Sequence, residues 1–332
     1  RHPPAGPAVE SEGARPIMPA LAWQPSASLA NLRHRAQILA QIRAHFASQG
    51  VLEVETPQLC PATVTDPHLS SIGVPGYGYL QTSPEYAMKR LLAAGSGSIY
   101  QIARVFRADE EGRWHNPEFT LLEWYRLGFS LDELIDDVAA VARLALGEVD
   151  SVRHRYRDLF RSHLDLDPLS CNISELAAVA RRHIDIAFDD ADRDTWLELL
   201  MSHVIEPRLG NDALCFVVDY PPSQAALARL RVDAEGQQVA ARFELYYRGV
   251  ELANGYHELL DAGEQRRRFA ADLREREALG LPAIALDEKL LAALEHGLPD
   301  CSGVALGFDR LVMLAVGGDA LDEVMAFPGS HR

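Results

Sequence analysis

Three stretches of this 332-residue chain carry polar side chains in patterns that chemistry could use. The densest runs from Arg107 to Tyr125, between apolar runs that read as strands over 99–107 and 118–126. Arg107 closes the first strand, where a rigid two-pronged guanidinium suits a phosphate or carboxylate. Phe119 offers a ring for a base. Glu123 and Tyr125, two apart on a strand, share a face that can clasp an ammonium group. A charged hairpin with a solvated loop over 108–117 is the plainer alternative. The second stretch joins Glu244 and Glu251 to Asn254 and Glu258. On adjacent strands the two glutamates can converge on Mg²⁺ through carboxylate oxygens, while Asn254 and Glu258 suit a substrate amine. Acidic surface strands are the alternative there. The third runs from Gly303 to Arg310. Its glycines allow a flat ligand close to the backbone, and Arg310 can stack on a base and touch phosphate. A turn followed by a helix-start salt bridge would look the same.

These residues need a scaffold. Leu32, Leu39, Ile42 and Phe46 fall at helical spacing, with Gly50 as the stop. Val51–Glu55 alternates like a strand, and Tyr79–Thr82 is a short strand candidate. Ser83-Pro84-Glu85 looks like a helix start, with a hydroxyl to cap it and an early acid. Ser130 to Glu133 forms a capping box that opens a helix to about Leu146. From about 147 to 240 the pattern reads as a mainly helical insert. Strands return over 242–247 and 250–257, helices over 262–279 and 287–296, then a strand over 303–307 and a helix from Asp309. Hairpin-joined strands with interspersed helices predict an α+β fold, an antiparallel β-sheet flanked by helices, over residues 23–328. Residues 1–22, rich in Pro, Ala and Gly, read as a disordered tail, and Met18 is a possible start.

Composition narrows the partners. With 32 Lys and Arg against 48 Asp and Glu, the formal charge is −16. Nucleic-acid binding relies on a basic face, so nucleic acid is a disfavoured partner. No apolar run approaches a membrane span or a secretory signal. The four cysteines are widely separated, against zinc or redox motifs and in favour of reduced thiols in a cytoplasmic protein.

Taken in order, the three stretches resemble the motifs of a known family. Gly50–Pro57 resembles motif 1 of the class II aminoacyl-tRNA synthetases, Phe106–Phe119 motif 2, and Gly303–Arg310 motif 3. Met88–Leu92 and Glu251–Gly255 resemble the lysine-specific branch. About 22 residues precede the first helix, too few for the anticodon-binding barrel of that branch. The chain is therefore similar to freestanding paralogues that aminoacylate a lysine side chain of elongation factor P. Trp23–Ser28, Ala62–Leu69 and Pro299–Gly303 carry that likeness.

The resemblance implies ATP and Mg²⁺ as cofactors, (R)-β-lysine or lysine as the amino acid, elongation factor P as acceptor, and a homodimer built through motif 1. It implies that Arg107 and Arg310 are catalytic, with Asp109, His115, Asn116, Phe119, Glu251, Leu252 and Gly307 also at ATP. It places Ser83, Pro84, Glu85, Glu123, Tyr125, Asn254, Glu258 and Ala305 around the amino acid, and Mg²⁺ on Glu244 and Glu251. Asp109 departs from the family's Arg-x-Glu, one methylene short. Ser83 and Ala305 stand where lysyl-tRNA synthetases have Ala and Gly, an exchange expected to reshape the pocket toward a β-amino acid. Two rivals stay open: a synthetase charging an RNA acceptor without an anticodon domain, and an inactive regulatory paralogue.

Overall fold

A computed structural model describes residues 23–186 and 192–329, so the tail over 1–22 lies outside the described residues. The chain opens with α1 (Leu29–Ser48), whose Ile38, Ile42 and Phe46 form a buried stripe. Ser28 caps it by accepting from the Asn31 amide at 3.1 Å. Short strands β1 (Leu52–Glu53), β2 (Leu59–Cys60), β3 (Gly73–Val74) and β4 (Gly78–Leu80) lead to α2 (Glu85–Ala93). The long hairpin β5 (Ile99–Phe106) and β6 (Glu118–Leu127) follows. Next comes α3 (Leu131–Leu146), opened by the expected Ser130–Glu133 capping box.

The stretch over 147–240 departs from a helical insert. It contains β7 (Ser151–Arg155), α4 (Tyr156–Leu164), α5 (Ile173–His183), α6 (Arg193–Leu200), β8 (Leu214–Tyr220) and β9 (Leu230–Val232). The helices α4, α5 and α6 pack on the sheet around a second core, including Tyr156, Phe160, Trp196 and Ile205 with Val217 and Tyr220 of β8. β8, however, is an interior strand of the main sheet. Its continuous apolar run, Leu214 to Val218, lacks the alternation that distinguishes a strand from a buried helix segment.

The hairpin β10 (Gln238–Tyr247) and β11 (Val250–His257) then turns at Arg248 and Gly249. Both have positive φ, 51° and 71°, the conformation that matches the twist of a tight hairpin. α7 (Ala262–Ala278), α8 (Glu288–Gly297), β12 (Cys301–Gly307) and α9 (Phe308–Ala315) complete the fold.

The main sheet has the order β1-β5-β6-β12-β11-β10-β8-β7, with β9 paired to β10. β1 runs parallel to β5 and β7 to β8; the other pairings are antiparallel. One face packs Leu122, Trp124, Phe243, Leu245, Val304 and Leu306 into a core closed by α1, α3 and α9. Of the expected first strand, Leu52–Glu53 form β1, and the Val54 amide adds one more bond, to the Tyr100 carbonyl at 2.9 Å.

One buried ion pair ties three parts of this fold. Asp309, at the start of α9, bonds Arg35 of α1 at 2.5 Å and accepts from the Thr120 amide of β6 at 2.7 Å. Arg35 also donates to the Thr120 hydroxyl at 3.0 Å. Removing the carboxylate leaves a mostly buried guanidinium without its partner, so Asp309→Ala is expected to lower unfolding free energy by about 3 kcal/mol. Urea unfolding checks this, and an unchanged midpoint would contradict it.

Candidate active site

Strand register gathers most of the polar residues. Gln101, Glu123, Ala305, Asn254 and Glu244 are cross-strand partners in one row over β5, β6, β12, β11 and β10. Two residues along, Ile99, Tyr125, Gly303, Tyr256 and Arg242 form the next row. Residues two apart share a face, so both rows look away from the main core. That face floors a cavity of about 1190 Å³.

Glu251 reaches the same face through a β-bulge. It lies three residues from Asn254, and strict alternation would set the two on opposite faces. The register slips between Leu245 and Tyr246, so that Leu245 faces Ala253 and Tyr246 faces Glu251. Leu252 is the extra residue and drops into the main core. Glu251 therefore lines the cavity, and Leu252 turns its side chain away while its carbonyl lies near Gly307.

At one end of the cavity three carboxylates converge. Glu123 accepts from Tyr125 at 2.8 Å and from Ser83 at 2.9 Å. The Ser83 hydroxyl also accepts from the Glu85 amide at 3.0 Å, so it orients both acids. Burial, then the charge of Glu85, pushes the Glu123 carboxyl up to about 8. Glu258 is 1% exposed, and burial pushes it to about 7 against the opposing charge of Lys89. Lys89 sits between Glu85 and Glu258, with Nζ 2.7 Å from each. Burial opposes its charge, but Glu258 and Glu85 outweigh that and raise its pKa above the ordinary ammonium value. Gly303 makes room for this cluster, since a Cβ there would lie 2.3 Å from the Tyr125 ring and 2.6 Å from Glu258 Oε1. The flat group against this glycine is thus the protein's own tyrosine.

The other end carries arginines and rings. Arg107 lies over the Phe119 ring at 5.1 Å and pairs with Glu110 at 3.2 Å. Arg310 donates to the Trp114 carbonyl at 3.1 Å, the Glu251 carbonyl at 3.0 Å and His115 Nε2 at 2.8 Å. Burial and then the charge of Arg310 hold His115 below its ordinary pKa, which keeps it a neutral acceptor. Gly307 lies beside Arg310, and a Cβ there would meet nothing nearer than 3.7 Å.

Several expected site residues stand elsewhere. Asp109 is exposed, has a left-handed backbone and does not line the cavity; Glu110 takes that place. Pro84 precedes α2 as its cap and is likewise outside the lining. Asn116 lines the cavity but spends its amide on the Glu118 carbonyl and the Gly329 amide. Glu244 is buried beneath the lining: Tyr220 donates to its Oε2 at 2.6 Å and Tyr246 at 2.5 Å, while Arg242 holds Oε1.

For a divalent cation, Glu251 fits best. Burial and the charge of Glu244 raise its pKa, although Arg310 lies 3.5 Å from its Oε2. Glu206 joins them, hydrogen-bonded to Tyr246 at 3.1 Å and pushed to about 7 by burial, Glu244 and Glu251. Mg²⁺ typically takes one or two carboxylates and completes its shell with phosphates and water, which this arrangement suits.

Lys89, Glu110, Glu206, Tyr220, Arg242 and Tyr256 went unnamed as site residues from sequence. Only Lys89 had a local signal: it follows Glu85 by four residues on a helix, the spacing of an ion pair. The rest depend on register and long-range packing.

An antiparallel sheet offering arginines and carboxylates to one cavity defines an adenylate-forming class II synthetase fold. Residues 14–331 match the family described as tRNA synthetases class II (D, K and N). The chain is 52% identical over 317 residues to the elongation factor P–(R)-β-lysine ligase of Yersinia enterocolitica, covering 92% of this chain and 97% of that protein. It is similarly 52% identical over 316 residues to the ligase of the same name from Edwardsiella ictaluri, and 50% to that from Klebsiella pneumoniae, with the same coverage of each. The chain belongs to the class II synthetase family and, within it, to the branch these ligases form.

Gly303→Ala forces its Cβ into Tyr125 and Glu258, whereas at Gly307 a Cβ makes only ordinary contacts, the nearest at 3.7 Å. The first is expected to lower stability by about 1–3 kcal/mol and the second to leave it unchanged. Equal urea midpoints for the two variants would contradict the packing.

Proposed function

We propose that this protein is an ATP-dependent ligase that activates (R)-β-lysine as an aminoacyl-adenylate and transfers it to a lysine side chain of elongation factor P. The observation that carries this is one cavity with arginines at one end and three carboxylates at the other, two of them held by a buried lysine behind the wall. The first end suits a triphosphate, the second an amino acid with two ammonium groups.

In the first step the amino-acid carboxylate attacks the α-phosphorus of ATP, a P–O bond forms, and pyrophosphate leaves. Arg107 would hold the α-phosphate and the substrate carboxylate together, offsetting charge that grows in the transition state. Arg310 and Phe119 would hold adenine, with His115 fixing the Arg310 guanidinium from one side. Glu251, with Glu244 behind it, would hold Mg²⁺, which supplies charge neutralisation at the phosphates. In the second step the neutral amine of the acceptor lysine attacks the adenylate carbonyl. An amide forms, AMP leaves, and the amine loses a proton.

The net charge of −16 supports a protein acceptor over tRNA. We also read the chain as a cytoplasmic homodimer. Four free thiols support the compartment, and the exposed Leu29, Leu52 and Leu59 near the first helix support an interface. No helix among the described residues is long and apolar enough to cross a membrane.

Pyrophosphate exchange with ATP and (R)-β-lysine tests the first step, and transfer to elongation factor P against tRNA tests the second. Exchange with (R)-β-lysine and transfer to the protein are expected; transfer to tRNA alone, or no exchange, would overturn the reading. Ser83→Ala combined with Ala305→Gly should shift selectivity toward α-lysine by about tenfold or more, and unchanged selectivity would remove these two residues from pocket shaping.

A further inference from the structure

Lys89 belongs to no expected role, yet it lies directly behind the amino-acid end of the cavity. Its side chain is 2% exposed, and its ammonium is 2.7 Å from Glu85 Oε1 and 2.7 Å from Glu258 Oε2. Among the described residues, no hydrogen bond takes up Glu85 Oε2 or Glu258 Oε1. Glu85, Glu123 and Glu258 all line the cavity. Both oxygens of Glu123 already accept from hydroxyls of the protein. The cluster thus offers one open oxygen on each of two acids that a single lysine holds in place.

Charge gives this arrangement a purpose. Three carboxylates and one ammonium, when ionised, leave two negative charges out of water, an arrangement that is costly unless matched. A diamino acid brings two ammonium groups, and an amino acid with one does not complete the balance. We infer that Lys89 is a positioning and specificity-determining residue: it fixes one oxygen each of Glu85 and Glu258, directs the other toward the substrate amines, and sets the pocket charge for a doubly cationic amino acid. The inference rests on the reading that this pocket takes a diamino acid, and names the residue that sets its charge and geometry.

The pH dependence follows from the surroundings. Glu85 and Tyr86 face Lys89 from α2, Glu258 from just beyond β11 and Cys301 from β12, while Glu123 and Tyr125 of β6 lie against the two acids and Arg229 lies behind Glu258. The acids must be ionised to hold ammonium groups. Removing the resident positive charge makes ionisation harder, so the acid limb of kcat/KM for the amino acid must move to higher pH.

The test is pyrophosphate exchange between about pH 6 and about pH 9 for the full chain, Lys89→Met and Lys89→Arg, with KM measured separately for ATP and for (R)-β-lysine. Lys89→Met should raise the amino-acid KM about 100-fold, leave the ATP KM unchanged, and move the acid limb up by about one pH unit. Lys89→Arg keeps the charge but alters the reach, so it should keep the limb and raise the amino-acid KM about tenfold. An unshifted limb with unchanged amino-acid KM in Lys89→Met would overturn the inference, as would equal losses for ATP and amino acid. If Lys89→Met does not fold, Lys89→Arg decides: a raised amino-acid KM alone supports the role, and an unchanged one overturns it. Absence of exchange in the unaltered protein would overturn the underlying function, and this inference with it.

Discussion

Carboxylates buried together repel, and the amino-acid end of this protein is organised around that repulsion. Glu85, Glu123 and Glu258 approach from a helix and two strands that are far apart in sequence. Each is stabilised differently: Glu258 by Lys89, Glu123 by two hydroxyls, Glu85 by Lys89 and the start of its own helix. The partial compensation keeps the pocket folded while leaving it short of positive charge. A fully neutralised pocket would have little to gain from an ammonium ligand, and an uncompensated one would strain the fold. The absence of a side chain at Gly303 belongs to the same arrangement, because it lets the Tyr125 ring and Glu258 lie against the backbone of β12.

Much of this was legible in the sequence because it is local. The capping box at Ser130, the hairpins around Arg107 and Gly249, and the pairing of Glu123 with Tyr125 follow from short spacings that physics constrains tightly. The three separated motifs pointed to the class II synthetase family, to which the chain belongs. What was not legible depends on events between distant segments. β8 was hidden because a strand buried on both faces has no alternation to reveal it. Glu251 sits on the useful face through a bulge that residue counting cannot detect. Asp109 lay in the right motif, but a left-handed backbone turns the loop so that Glu110 meets Arg107 instead. At Gly303 the group that approaches closely is the Tyr125 ring, from the neighbouring strand.

The arginine end of the cavity shows how the segment over 147–240 supports the site. Glu244 is held by Tyr220 at the end of β8, by Tyr246 two residues along its own strand, and by Arg242, which also stacks over Tyr220 at 4.5 Å. Tyr156 of α4 packs against Tyr220 in turn, with ring centroids 4.9 Å apart. The helical core therefore buttresses the rings that fix Glu244. On the opposite side, Arg35 of α1 fixes Asp309, next to Arg310. Glu244, beneath the cavity floor, and Arg310, which lines the cavity, are thus held by segments far apart in sequence. Positioning is nearly all that adenylate formation asks of a protein, since no covalent bond to the enzyme is needed. That requirement explains why so much of the buried polar chemistry here lies one layer behind the cavity, where it orients side chains rather than touching a ligand.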